Sequence, residues 1–484
     1  MRHRSQTCLS RRHVLGSGVM GLGGLALASL LRQEQAHAAP QQPLLNPVEY
    51  DLTPKAPPME PRADAMISLF MGGGPSHIDL FDPKPLLEKY DGKIYPDNDI
   101  VYDNAGGASK VVMASPFRFR KCGESGIELS ELIPHIQGIA DEMTLIRSMN
   151  LDGIRNHVAG MQAFASGRER GRGRPTVGSW LTYGLGAESQ DLPAYVVMNE
   201  GGNIPGSPFW SSGFLPSVYE GTLLRNEEPR ILNLDPPEHL RGIPQRNNLD
   251  LLKRLNEIHL ERMPGETVLE GRIASFKLAA RMQSSASEAF DVSGETRAIQ
   301  RLYGMEAEDK YTRRYGKACL VARRLIERGV RFVQIWRYSW DAHSNINEEL
   351  PMRCRWVDQP SAALVKDLKQ RGLLDRTLVH WGGEMGRLPV IQYGGPESRP
   401  GRDHNPFGFS MWLAGGGVKQ GHIHGATDDF GLNAVEGKVH HYDYHATLLR
   451  LFGFGESDLR FLRAGREESL LDGQPGRAVE EIIA

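Results

Sequence analysis

The chain has 484 residues, 40% of them hydrophobic and 24% charged, enough for a sizeable core in one large or two ordinary domains. Its formal charge is −2 at pH 7 and falls further once the N-terminal segment described below is cleaved, and a mildly acidic mature protein argues against nucleic acid as a partner. Four scattered cysteines match neither a disulfide framework nor zinc-ribbon spacing.

Paired arginines in Ser10-Arg11-Arg12-His13 stand directly before a mildly apolar run, residues 14–31, that carries five glycines. Ala36-His37-Ala38 follows as a small-x-small cleavage signature. Together these read as a twin-arginine signal peptide over residues 1–38, an address rather than an anchor. An amphipathic helix or an uncleaved anchor are the alternatives. The expected location is periplasmic or extracellular. Cleavage removes five arginines and one glutamate, so the formal charge moves from −2 to −6. No later stretch is an uninterrupted apolar span, so no stable membrane span is expected after cleavage. Cys8 leaves with the signal, and Cys122, Cys319 and Cys354 allow one disulfide at most.

Residues 39–62, rich in proline and polar side chains, read as a linker or extended arm. The first core strand is expected at 65–71. It stops at Gly72-Gly73-Gly74-Pro75-Ser76-His77-Ile78-Asp79, where glycines permit a sharp turn or a close approach to a ligand. The Gly-Lys-Ser/Thr ending of a phosphate loop is missing. His77 and Asp79, polar residues at a strand exit, are site candidates, and Ser76 with His77 could contact an anion.

A second strand at 143–149 leads to a helix at 157–166 with Asn156 as its N-cap. His157 then lies in the first turn, where free backbone N–H groups favour an anion. It reads as an anion contact beside Asn156, a nucleophile or a plain surface residue. Arg168, Arg170, Arg172 and Arg174 follow in a loop that is either a solvated turn or an entrance for a negatively charged substrate. A strand is expected at 193–198, then long loops over 199–248 that could cap the site, and helices at 251–260, 269–282 and 311–328.

The densest chemistry lies between 332 and 404. A strand at 331–336 leads to Trp340-Asp341-Ala342-His343, and one at 378–381 leads to Gly383-Glu384-Met385-Gly386-Arg387. Gly401-Arg402-Asp403-His404 precedes a strand at 409–414. Asp341 and His343, two residues apart, share a side if the backbone is extended. A helix is expected at 360–372, and another at 443–452 with Asp443 as N-cap and Gly453 as its stop. His422, His424, His440 and His441 read as surface histidines. Strands alternating with helices give an α/β class: a central, mainly parallel sheet flanked by helices.

These motifs resemble the exported domain-of-unknown-function family 1501, within the alkaline phosphatase/sulfatase superfamily. The resemblance rests on Gly73-Gly74-Pro75-Ser76-His77, Phe81-Asp82-Pro83-Lys84-Pro85, Asn156-His157, Trp340-Asp341-Ala342-His343, Gly383-Glu384-Met385-Gly386-Arg387, Gly401-Arg402-Asp403-His404 and His445-Ala446-Thr447-Leu448-Leu449. It implies a single alkaline phosphatase/sulfatase-like domain over 63–484, with a loop-rich and helical insertion around 199–328. It also implies bound metal and a nucleophile acting on a phosphate or sulfate ester. The implied metal pair falls on Asp341 and His343, the late single histidine on His404, and the Asp-His-Gly turn on Glu384-Met385-Gly386. The nucleophile position falls on His157. Met385 cannot act as a histidine ligand for a hard ion, and the first strand has no metal-binding aspartate unless Asp79 serves.

The expectation is one divalent ion, zinc, manganese or calcium, on Asp341, His343 and His404, with Glu384, Asp403 or Asp79 completing its shell. Arg387 or Arg402 would neutralise charge on the transferred group, and His157 would attack or bind the anion. The expected activity is hydrolysis of an anionic small-molecule or glycan ester. The alternative is a catalytically lapsed member that binds an anionic glycan or a protein partner at the cell surface.

Overall fold

The computed structural model describes residues 50–97, 99–102, 108–171, 173–201, 206–225, 227, 230–231, 242–262, 267–393 and 399–484. The expected signal peptide and residues 39–49 of the expected arm lie outside them.

Apolar runs of strand length become the centre of the molecule. The strands β1 (Ala65–Phe70), β2 (Met143–Asn150), β3 (Tyr195–Asn199), β4 (Thr222–Leu224), β5 (Phe332–Trp336), β6 (Thr377–Gly382), β7 (Phe409–Ala414), β8 (His422–His424) and β9 (Val439–His440) form one sheet. Its order is β8-β2-β7-β6-β1-β5-β3-β4, with β9 also paired to β2. β1, β5, β6 and β7 are buried along their whole length, as strands covered on both faces must be. All pairings are parallel except those of β7, which runs antiparallel to both β6 and β2. The sheet is therefore mainly parallel, as expected.

This topology determines which loops meet. The carboxyl ends of β1, β5 and β6 are flush, since Phe70 pairs with Trp336 on one side and Gly382 on the other. β2 ends at the same edge. Because β7 is reversed, its leading segment, which carries His404, arrives at that edge too.

The helices α1 (His157–Ser166), α2 (Val177–Leu185), α3 (Ile243–Arg262), α4 (Thr267–Phe290), α5 (Lys310–Glu327), α6 (Ile346–Gln370) and α7 (His441–Leu451) account for most of the rest. Two expectations need correction. α6 does not start at Pro360 but fourteen residues earlier, and it contains both Pro351 and Pro360. The buried series Leu350, Cys354, Val357, Ser361, Leu364, Leu368 keeps helical spacing through Pro360, and that burial outweighs the roughly 3 kcal/mol an interior proline costs. In α7 the N-cap is His440, with Asp443 as the reciprocating residue of a capping box. Gly453 does stop this helix with a φ of +83°. Cys122, Cys319 and Cys354 are buried free thiols, so among the described residues no disulfide forms.

A buried ion pair fastens the first βα turn to the segment before β7. Arg402 forks onto Asp79, Nε donating to Oδ2 at 2.8 Å and Nη2 to Oδ1 at 3.1 Å, and neither residue is exposed to solvent. Arg402 also donates to the Leu388 and Ala114 carbonyls, and Ser76 Oγ donates to Asp79. Removing one partner strands the other charge, so Asp79→Ala should lower unfolding free energy by about 3–5 kcal/mol in denaturant titrations. A loss under about 1 kcal/mol would mean that water reaches the pair.

Candidate metal centre

The geometry centres on a single oxygen. Asp341 follows β5 in a loop whose approach to β1 is set by Gly73: a Cβ there would lie 2.7 Å from the Asp341 backbone nitrogen. The glycines after β1 thus admit a neighbouring chain segment. Asp341 Oδ1 then lies 2.8 Å from His343 Nε2, 3.1 Å from His404 Nε2, 3.1 Å from His157 Nε2 and 2.9 Å from Arg387 Nη2. His157, Asp341, His343 and His404 each offer a ligand atom, all within 4.8 Å of one another, and could hold one metal ion.

The other ring nitrogens fix how these imidazoles point. His157 Nδ1 donates to Glu384 Oε1 at 2.7 Å, and His404 Nδ1 donates to the Arg155 carbonyl at 2.9 Å. His343 Nδ1 donates to Gln392 Oε1. Each partner is an acceptor, so each Nδ1 holds a proton and Nε2 is the nitrogen that each ring turns toward the centre. Glu384 is itself oriented by the Gly73 N–H at 2.9 Å. Gly401 lets this second loop close in, since a Cβ there would lie 2.2 Å from the His343 carbonyl carbon.

A cation fits this constellation. His157 Nε2 is buried and makes no aligned hydrogen bond despite its 3.1 Å approach to Asp341. The His157 side chain is 11% exposed and that of His404 5%, whereas Asp341 and His343 are about 30% exposed and form the open side. Tyr338 closes one wall, its ring edge-to-face on His157 with centroids 6.3 Å apart.

The structure brings His157, Asp341, His343 and His404 together and separates the remaining candidates. Glu384 binds His157 from behind, on the side away from Asp341. Asp403 accepts from the His404 backbone N–H at 2.8 Å and lies 3.8 Å from His343 Nδ1, so it too sits behind a ring. Asp79 and Arg402 are spent on each other. Arg387, fully buried, donates to Asp341, to the Gly73, Gly74 and Trp340 carbonyls and to the Arg402 carbonyl, which makes it a brace for the loops. Ser76 Oγ is taken by Asp79. His77 bridges Gly431 O (2.8 Å from Nε2) and the Arg387 N–H, and burial pushes its pKa down, so it offers an anion nothing. Asn156 is the N-cap of α1, accepting from Ala159 N–H at 3.2 Å.

Residue types alone did not single out Gln392, Tyr338 or the ligand-like role of His157. Tyr338 carried a positional signal, two residues past the end of β5, while Gln392 carried none.

A family model described as "Protein of unknown function (DUF1501)" matches residues 63–483. The chain belongs to that family. None of the curated proteins matches its sequence. Among solved structures it is similar to a protein in the alkaline phosphatase superfamily from Vibrio parahaemolyticus, at 11% identity and a TM-score of 0.38, over 91% of this chain and 76% of that one. It is similar to the PsFucS1 sulfatase from Pseudoalteromonas sp. at 12% identity and TM-score 0.35, over 81% and 68%. The alkaline phosphatase from the Antarctic bacterium TAB5 matches at 9% identity and TM-score 0.30, over 74% and 92%.

The charged groups at the centre of this DUF1501 chain are strongly linked. Burial opposes ionisation of Asp341, but Arg387 and the three imidazoles outweigh it and hold the carboxyl far below its usual range. Burial pushes His404 down, which keeps its Nε2 lone pair available. Burial also opposes charging of His157, yet Asp341 and Glu384 prevail and raise it to about 9. Its folded pKa is above the unfolded value of about 6.5, so this contribution to stability is complete below about 6.5 and lost as pH rises through about 9.

A metal ion on the same nitrogen must displace that proton. Zinc affinity should therefore rise about tenfold per pH unit between about 6.5 and 9, with about one proton released per ion. Calorimetry in two buffers of different ionisation enthalpy measures both quantities. A pH-independent affinity would contradict the assignment of His157.

Proposed function

We propose that this protein is a metal-dependent hydrolase of an anionic ester, phosphate or sulfate, working outside the cytoplasm. One observation carries the reading: three imidazoles with anchored Nδ1 protons aim their Nε2 atoms at one Asp341 oxygen beside an opening. Three nitrogen donors and one carboxylate suit zinc or manganese and disfavour calcium, which takes oxygen ligands. A divalent ion held there supplies Lewis acidity toward an ester oxygen and makes a water acidic enough to attack near neutral pH.

The protein's own contributions follow from its contacts. His157 has one nitrogen on Glu384 and the other in the ligand cluster, so it acts as a ligand and leaves the attack to water. Glu384 holds the Nδ1 proton of His157 and thereby the aim of the ring. Asp341 Oδ2 makes no hydrogen bond among the described residues and lies on the open side, where it can accept one from the attacking water. Arg387 keeps Asp341 ionised and fixed. The motif resemblance to the alkaline phosphatase/sulfatase superfamily supports the ester class.

The test begins with metal content. The mature protein should carry about one zinc or manganese, and turnover of an aryl phosphate or an aryl sulfate should vanish on chelation and in His343→Ala. A protein that takes up no metal ends this reading. One that is loaded yet turns over neither ester leaves the competing role, a member that binds an anionic glycan or a protein partner at the cell surface.

Export is a separate proposal, resting on Arg11-Arg12 and the apolar run behind them. No helix of the described residues is long and apolar enough to cross a membrane. Replacing both arginines with lysine should trap the precursor inside the cell, as read by fractionation. Undiminished secretion of that variant would refute a twin-arginine route.

A further inference from the structure

The helix α3 packs on α4, which in turn packs on α5. Its sequence is apolar on more than that one side. Leu249, Leu252 and Asn256 turn toward α4, where with Ile273, Phe276 and Ala280 they line a groove of about 360 Å³. At about 100° per residue, Leu251, Leu255 and Ile258 fall within about 60° of one another and roughly 130° round the helix from that groove. They are 57%, 54% and 38% exposed. A helix that is apolar on both sides is ordinarily covered on both, and a contiguous stripe of exposed branched side chains marks an interaction surface.

The charges beside the stripe indicate what covers it. Arg254 and Glu261 are exposed and seven residues apart, so they stand on the same flank of the stripe. Among the described residues neither has an ion-pair partner, whereas Lys253 and Glu257 on the same helix lie 4.0 Å apart and pair with each other. Two copies of α3 laid antiparallel about a two-fold axis present the same flank to each other with its direction reversed. With the axis between Asn256 and Glu257, Leu255 of each copy meets Ile258 of the partner subunit. Arg254 of each copy then lies opposite Glu261 of the partner subunit, and symmetry supplies that attraction twice. A parallel pair would set Arg254 beside His259 of the partner subunit instead, so the charges select the antiparallel arrangement.

We infer that this face of α3 is a self-association surface, where a second copy of the chain docks as an antiparallel helix pair. Leu255 and Ile258 form its centre, Leu251 closes each end, and two Arg254–Glu261 contacts fasten one flank. The inference goes beyond the hydrolase reading and stands whether or not that reading holds. The stripe runs only about 10 Å along the helix, short of a standard interface, so the dimer is weak and depends on concentration.

Sedimentation velocity on the full mature protein tests this, over a concentration series reaching about 0.5 mM. A dimer should form as concentration rises. Leu255→Asp should abolish it, since association would bury a carboxylate from each copy at the centre. The position is exposed in the single chain, so the melting temperature of that variant should not move. Arg254→Glu and Glu261→Arg should each weaken dimerisation by about tenfold, because both symmetric pairs turn repulsive. Mixed in equal amounts, the two charge variants should pair with each other about as tightly as wild type does with itself. A wild type that stays monomeric throughout the series overturns the inference. So does a dimer that survives Leu255→Asp, or a mixture of charge variants that associates no better than either alone. Vesicles of phosphatidylcholine and phosphatidylglycerol that capture a monomeric wild type, but not Leu255→Asp, would make the stripe a membrane-docking face and likewise overturn the dimer.

Discussion

Everything at this site depends on one carboxylate oxygen. Asp341 Oδ1 is approached by three imidazole nitrogens and a guanidinium, all between 2.8 and 3.1 Å. Asp341 alone cannot hold three imidazoles there, because neutral rings with their Nε2 lone pairs turned inward repel one another and the carboxylate alike. Two devices offset that repulsion. Each ring is anchored from behind through its Nδ1 proton, and a positive charge must occupy the middle, supplied in the empty protein by a proton on His157. His157 Nε2 is thus one place for which a proton and a metal ion would compete.

The reversed strand β7 makes this possible. The loops that supply ligands leave β2 and β5, which lie four strand positions apart, about 19 Å at the usual spacing. Ligands from strands so separated meet only if the loops between them lean inward. β6 and β1, lying between, contribute Glu384 and Gly73, which fasten His157 to the middle of the row. β7 contributes His404 from its leading end. Run parallel to its neighbours, it would place that segment at the opposite edge of the sheet, and the centre would lose an imidazole.

The strands were legible in the sequence because a sheet covered on both faces needs unbroken apolar runs, and 65–70, 332–336, 377–382 and 409–414 have little else. The clustering of Asp341, His343 and His404 was legible because polar residues at strand exits have few other uses. What the sequence could not reveal were partners far along the chain. His157 and Glu384 are 227 positions apart, and Asp79 and Arg402 are 323 apart. In each case residue type suggested a ligand or a catalyst, and only contact showed a brace. The start of α6 was missed for a different reason. Pro351 and Pro360 interrupt the local helix signal, while six buried residues at helical spacing decided the outcome.

Met385 shows how such contacts change a functional argument. Read along the sequence, a methionine in the turn where the resemblance places a histidine looks like a lost ligand and a failed enzyme. In the fold Met385 is 1% exposed and packs on Gly74, where it lines no site. In the candidate metal group the third imidazole is that of His157, at the position the resemblance assigned to a nucleophile. If Nε2 of His157 holds a metal while Nδ1 is on Glu384, no covalent intermediate can form on the ring, and the hydrolysis proposed above would proceed by direct attack of water. A single displacement inverts the configuration at phosphorus or sulfur, whereas a nucleophile that attacks and is then released would retain it.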